Sequence, residues 1–182
     1  SVLSAKGAGI DQISEQEGIP IANLDIGGGT TNIAVFHKDK IKGVCCLDIG
    51  GRLIKVENQK ITYVYEKIQT MAKENGIIIH VGDVADITKL RKLCDLMAKH
   101  LAEAIHLLPK ESFHSLMYTN GGNFLSEGVD IKGITFSGGV ADCIYKEPRT
   151  EPYRKASDRN DPFQYGDIGI LLGEAIAQHE AF

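Results

Sequence analysis

A carboxylate, three glycines and two hydroxyl residues lie close together at Asp25, Gly27, Gly28, Gly29, Thr30 and Thr31. Glycine permits positive φ and lets backbone N–H groups crowd an anion with no Cβ in the way. Thr30 and Thr31 add hydroxyl donors. A carboxylate at a strand end can hold a hydrated Mg²⁺ against a phosphate. The group therefore reads as a phosphate cradle, with Asp25 as candidate catalytic residue and as Mg²⁺ holder through water. A plain hairpin with a glycine-rich loop has the same composition. These six residues alone do not separate the two readings.

Three further stretches carry related chemistry. Asp48-Ile49-Gly50-Gly51 is a second acidic-glycine corner, followed by Arg52. Ser137-Gly138-Gly139-Val140 stands between an apolar run and a helix start, where backbone can approach a ligand. Gly166 to Ala177 is helix-like, with glycines at 166, 169 and 173. Glycine disfavours an isolated helix, so packing or close approach is the reason for them there.

The elements that must position these residues are legible from periodicity and breakers. Gly18-Ile19-Pro20 ends an initial segment read as the tail of a helix and then a loop. Three β-rich runs follow, Ile21–Ile26, Asn32–His37 and Ile41–Asp48, arranged as an antiparallel meander. Leu53–Glu57 and Lys60–Tyr65 read as two strands around Asn58-Gln59, with a short helix from Gly50-Gly51 as the alternative. Glu66–Asn75 reads as a helix stopped by Gly76, and Ile77–Val81 as a short β-type run. Leu90, Leu93, Met97, Leu101, Ala104, Ile105 and Leu108 make one apolar stripe on a helix from about Ile87 to Leu108. Asp86 is its N-cap, and Pro109 follows it. Residues 110–130 read as loop with one short element around Phe113–Tyr118, including the turn Asn120–Asn123. Ile131–Phe136 reads as a buried strand. Residues 146–165, rich in charge and proline, read as an irregular connector or a partner-facing loop.

Composition narrows the function classes. The chain has 182 residues, a net charge of −4 and 43% hydrophobic residues. Its pI near 5.9 argues against a broad nucleic-acid-binding surface. No run reaches the roughly 18 apolar residues of a membrane span. The first residues lack signal-peptide character, and the start without Met points to a processed chain or a fragment. Cys45, Cys46, Cys94 and Cys143 form no Cys-x-x-Cys pair and read as free thiols. Cys45 and Cys46 point to opposite faces of one strand. His100 and His106 fall on different faces of a helix, which makes a metal site there a poor expectation.

Taken together, the motifs resemble the actin/Hsp70/sugar-kinase superfamily of ATP-binding proteins. Asp25–Phe36 resembles its second phosphate motif, Ile134–Val140 its adenosine motif, and Gly166–Ala177 its second interdomain helix. Residues near Ala5–Gly9 resemble the end of its first interdomain helix. The resemblance implies a ribonuclease H-like α/β lobe. It would have a mixed sheet with three antiparallel first strands and flanking helices. Residues 1–182 would form the second lobe of a two-lobed ATPase. Within it, 1–18 would be the end of the first interdomain helix and a loop, and 166–177 the second interdomain helix. It implies ATP or ADP with Mg²⁺ as cofactors. Gly27, Gly28, Gly29, Thr30 and Thr31 would take the β- and γ-phosphates. Gly138, Gly139 and Val140 would line the adenosine side, and Asp167, Gly169 and Gly173 would stand at the hinge.

The segments Ser4–Gly9, Leu24–Phe36, Gly50–Ile54, Phe136–Tyr145 and Tyr165–Gly173 are more narrowly similar to the ethanolamine ammonia-lyase-reactivating family of ethanolamine utilisation. That implies a chaperone-like factor acting on an adenosylcobalamin enzyme whose cofactor has lost its adenosyl group. The lyase would be the partner, with no nucleic acid or membrane involved. The setting would be cytoplasmic and in some cases a bacterial microcompartment. Actin-like division proteins carry a closely similar hairpin, and a small-metabolite kinase shares the superfamily; both remain alternatives. Many superfamily members carry Asp where this chain has Asn32, and an amide brings no charge to a metal site. Slow hydrolysis suited to a switch is the expectation. With half of the cradle on another lobe, the chain by itself is expected to bind ATP weakly or not at all.

Overall fold

A computed structural model describes residues 6–7, 9–111, 114–119, 124–126, 128–145 and 161–182. Ala5 and Ala8 of the expected interdomain-helix end, the turn Asn120–Asn123 and most of the 146–165 connector lie outside the described residues.

The first three strands form the expected meander. They are β1 (Pro20–Ile26), β2 (Thr31–His37) and β3 (Lys40–Leu47). β6 (Gly133–Ser137) joins β1 in parallel, so the mixed sheet runs β3-β2-β1-β6. Its alternation divides the residues by face. Ala22, Leu24 and Ile26 of β1 enter the main core with Ile33, Val35, Cys45 and Leu47. The other face splits in two. Ile21, Ala34 and Phe36 pack with Ile10 in a smaller cluster, while Asn23, Asp25, Asn32, Thr135 and Ser137 make the rest of it polar.

The flanking helices follow from their apolar stripes. α2 (Glu66–Glu74) buries Ile68, Met71 and Ala72. α3 (Ile87–Ala104) buries Leu90, Leu93, Met97 and Leu101 in the main core. Each such side chain contributes about 1.5–3 kcal/mol when fully buried. The Asp86 carboxylate caps α3, accepting from the N–H groups of Thr88 at 2.9 Å and Lys89 at 3.2 Å. α4 (Ala141–Ile144) and α5 (Gly169–Gln178) close the described chain. A 3₁₀ turn spans His114–Met117, within the short element expected there.

β4 (Ile54–Glu57) and β5 (Lys60–Val64) form the hairpin read from the sequence, not the alternative helix. Asn58 (φ 49°) and Gln59 (φ 61°) both take the left-handed conformation that a two-residue hairpin turn requires. The hairpin is a separate two-stranded sheet.

Several expectations need correction. Residues Ile10–Glu17 form a helix, α1, where a loop was expected. Gly18 stops it at φ 68°, its N–H donating to the Ser14 carbonyl. Ile77–Val81 is not a strand. Ile78 and Val81 are exposed, and it is the following segment that meets β5, through Gly82 N–H to Ile61 O and Ile61 N–H to Asp83 O. α3 ends at Ala104 and not Leu108, because His106 turns left-handed at φ 62° and Leu107 N–H returns to Ala102 O. β6 is half-buried along its length, as an edge strand is, and not a buried strand. The closing helix begins at Gly169, not Gly166. No helix among the described residues is long and apolar enough to cross a membrane.

Candidate functional site

Asp25 stands one residue before the end of β1, half-buried. Its cross-strand neighbours are Asn32 on β2 and Ser137 on β6, and Cys46 continues the rung on β3. The amide of Asn32 thus lies beside the carboxylate on the same face. One rung away, Thr135 Oγ1 donates to Asn23 Oδ1 at 3.0 Å, and Asn23 Nδ2 donates to Ser137 Oγ at 3.2 Å. This network ties β1 to β6 and fixes the strand end that carries Asp25.

The first glycine corner closes through Gly27 N–H to Thr30 O at 2.9 Å. Gly29 at its tip is exposed, with nothing within 4 Å of where a methyl would stand. Thr30 is half-buried, whereas Thr31 is fully buried and donates its hydroxyl to Ile49 O at 2.8 Å. The Thr31 hydroxyl therefore anchors the hairpin to the second corner instead of facing outward.

That second corner is the seat of the first. Gly51 N–H donates to Gly27 O at 3.1 Å and Arg52 N–H to Gly28 O at 2.6 Å. A methyl on Gly50 would stand 2.5 Å from Gly28 O and 2.7 Å from Gly27 O. Only glycine admits this backbone contact. Asp48 fixes the corner from behind. Its carboxylate pairs with Lys67 and accepts from Thr119 Oγ1 at 2.7 Å and Tyr65 OH at 3.3 Å. Burial pushes its pKa up, but these partners together hold it below the ordinary carboxylate value.

The third corner meets the end of β1. Gly138 has φ 86°, and a methyl there would stand 2.4 Å from Ile26 O and 2.8 Å from Asp25 Oδ1. Val140 N–H donates to Ile26 O at 3.3 Å. Gly139 is exposed and open. The fourth stretch packs onto the second corner. Ile168 N–H donates to Gly51 O at 3.0 Å, and a methyl on Gly51 would stand 2.9 Å from Gly169 Cα. Asp167 Oδ1 accepts from Gly169 N–H at 2.8 Å, which caps α5. Burial raises the Asp167 pKa; the Gly169 N–H and Arg52 pull the other way. Gly173 is buried against Cys143, where a methyl would meet Cys143 Cβ at 2.4 Å.

These four stretches enclose one open cleft of about 870 Å³, a volume in the range of small-molecule sites. Of the residues singled out in the sequence, Gly27, Gly28, Gly139, Val140, Asp167 and Gly169 line it. Asp25, Gly29, Thr30, Thr31, Gly138 and Gly173 do not. Gly138 packs against the end of β1 and Gly173 between α4 and α5. Sequence reasoning missed Arg52, Asp142, Gln164, Tyr165 and Glu174, which also line the cleft. Only Arg52 carried a signal, its place directly after a glycine pair.

Fold and site together define an α/β fold with a mixed sheet, flanking helices and a cleft walled by glycine corners. The family model described as Ethanolamine utilisation protein EutA matches residues 1–182, and the chain belongs to that family. It is 33% identical over 184 residues to the ethanolamine ammonia-lyase reactivase EutA of Salmonella typhimurium strain LT2. It is 34% identical over 183 residues to the protein of that name from Escherichia coli K12. Each alignment covers 98% of this chain and 36% of the relative, so the chain spans about a third of their length.

Proposed function

We propose that this chain is a nucleotide-binding lobe of an ATP-dependent, chaperone-like reactivating factor for adenosylcobalamin-dependent ethanolamine ammonia-lyase. Family membership supports the reactivating role. The nucleotide part rests on one observation, the convergence of glycine corners distant in sequence on a single cleft. The strand order, three antiparallel strands and a parallel fourth, supports the ribonuclease H-like lobe of an actin-like ATPase.

The glycine corners lining the cleft fit the phosphates of ATP, whereas Asp25, the expected Mg²⁺ holder, does not line it. At Gly29 and Gly139 the space beside the backbone is open, so a ligand can approach the main chain closely. Gly27 and Gly28, which line the cleft, would face the β- and γ-phosphates, while Gly29 and Thr30, which do not line it, would shape the hairpin. Thr31 would contribute by fixing the hairpin, since its hydroxyl is committed to Ile49. Asp25 would orient Mg²⁺ through water. Gly138, Gly139 and Val140 would line the adenosine side, and Asp167, Gly169 and Gly173 would form the hinge. Bound ATP with Mg²⁺ supplies the hydrolysable phosphoanhydride and the charge on which the switch depends. Asn32 beside Asp25 adds no negative charge, which suits slow switching. In this reading the moving lobes loosen damaged cobalamin in the lyase so that intact adenosylcobalamin replaces it. The setting is the cytoplasm, including its microcompartments.

The test uses full-length protein, lyase inactivated with bound cyanocobalamin, free adenosylcobalamin and Mg²⁺. Lyase activity should return only with ATP, and Asp25→Ala should abolish the return. Equal recovery without ATP would contradict the nucleotide part, and no recovery at all would contradict the reactivating part.

A further inference from the structure

Among the described residues lining the cleft, Arg52 is the one cationic side chain, facing the three carboxylates of Asp142, Asp167 and Glu174. Glu174 is engaged elsewhere, by Arg91 at 2.8 Å. A polyanion entering such a cleft meets net repulsion unless a cation receives it. Arg52 is placed to do so. Its backbone is pinned to the phosphate-type hairpin through Gly28 O. Its side-chain stem lies over Gly28, with Cδ 3.0 Å from where a methyl would stand. The side chain is otherwise loosely held, 73% exposed, with Nε 3.7 Å from Asp167 Oδ2. That distance is a long ion pair without hydrogen-bond contact. Asp167 is the same residue that caps α5.

We propose that Arg52 is the anion-contacting residue of the cleft, and that it exchanges its ion pair with Asp167 for a phosphate of the bound nucleotide. This rests on the nucleotide reading above and adds a residue and a coupling to it. The exchange moves charge from the cap of α5 to the ligand. Occupancy of the cleft is thereby registered at the first turn of the closing helix. A guanidinium suits the role because it binds phosphate oxygens in a bidentate fork.

Calorimetric titration of the full-length protein with ATP and Mg²⁺ tests this with three variants. Arg52→Gln keeps the stem over Gly28 but removes the charge. ATP affinity should fall about ten- to a hundred-fold, the value of a charge-assisted contact. Arg52→Lys should recover part of that loss. Asp167→Asn retains an acceptor for Gly169 N–H and frees Arg52. ATP affinity should rise, by up to about five-fold, because a long pair with one exposed partner is weak. Unmutated protein that binds ATP while Arg52→Gln binds it within about two-fold would overturn the role of Arg52. Weaker binding by Asp167→Asn would overturn the exchange. Unmutated protein that binds no ATP would instead overturn the nucleotide reading beneath both.

Discussion

Substituting Gly50 by alanine tests the contact between the two glycine corners on which the cleft depends. The added methyl would meet Gly28 O at 2.5 Å, Gly28 C at 2.6 Å and Gly27 O at 2.7 Å. All three are backbone atoms, so no side-chain rotation relieves the clash. Ordinary contact requires the hairpin to retreat by roughly 1 Å. Overpacking of this kind costs about 1–3 kcal/mol. The retreat also strains two hydrogen bonds, Gly51 N–H to Gly27 O and Arg52 N–H to Gly28 O, at about 0.5–1.5 kcal/mol each. Alanine restricts the unfolded chain and returns about 0.4–1 kcal/mol. The net loss is about 1–5.5 kcal/mol, which lowers the thermal midpoint of the 182-residue chain by roughly 2–20 °C. Scanning calorimetry reads it. Gly29→Ala is the matched control, since nothing lies within 4 Å of its methyl. A Gly50→Ala midpoint no lower than that of Gly29→Ala would refute the packing argument.

Three further outcomes follow from the site. Thr31→Val removes the donor to Ile49 O from a fully buried position, and should cost about 1–3 kcal/mol in urea unfolding; an unchanged midpoint would show that this anchor is dispensable. Asp48 has a folded pKa below its unfolded value because Lys67, Thr119 and Tyr65 outweigh the opposing effect of burial. Its contribution is fully present above about pH 4 and is lost as pH falls through the folded value. Asp48→Asn should therefore lower stability at neutral pH and flatten the acid limb, measured as urea midpoints from about pH 3 to pH 7; an acid limb as steep as that of the unmutated chain would contradict this. Burial pushes the Cys45 thiol up to about 12 and raises that of Cys94 as well, whereas Cys143 is partly exposed and lines the cleft. Iodoacetamide should label Cys143 before Cys45 and Cys94, and ATP should slow the labelling of Cys143 in full-length protein. Peptide mass spectrometry follows both, and labelling of Cys143 indifferent to ATP would argue against nucleotide in the cleft.

The parts of the fold that local chemistry dictates were readable in the sequence. Short β-rich runs separated by Gly27–Gly29 and Lys38-Asp39 fold as the meander β1-β2-β3. Asn58-Gln59 supplies the left-handed turn of β4-β5, and Asp86 caps α3. Tertiary competition hid the rest. Ile77–Val81 has strand composition, but outside the β4-β5 hairpin β5 takes its backbone contacts from Gly82 and Asp83. The site divides the same way. Glycine corners announce themselves by composition, and Gly27, Gly28 and Gly139 do line the cleft. The direction of a hydroxyl does not announce itself. Thr30 and Thr31 are adjacent and alike, yet Thr31 points inward because strand alternation sends neighbours to opposite faces. Arg52 follows a glycine pair in the sequence, but its place at the cleft comes from the second corner sitting under Gly28.

The central claim is that the cleft between these glycine corners receives the phosphates of ATP. The most direct measurement is a crystal structure of the full-length protein with Mg²⁺ and a non-hydrolysable ATP analogue. The account predicts phosphate oxygens within hydrogen-bond distance of the backbone N–H of Gly28, and the adenosine beside Gly139 and Val140. An analogue bound away from these residues, with the cleft filled only by solvent, would contradict it.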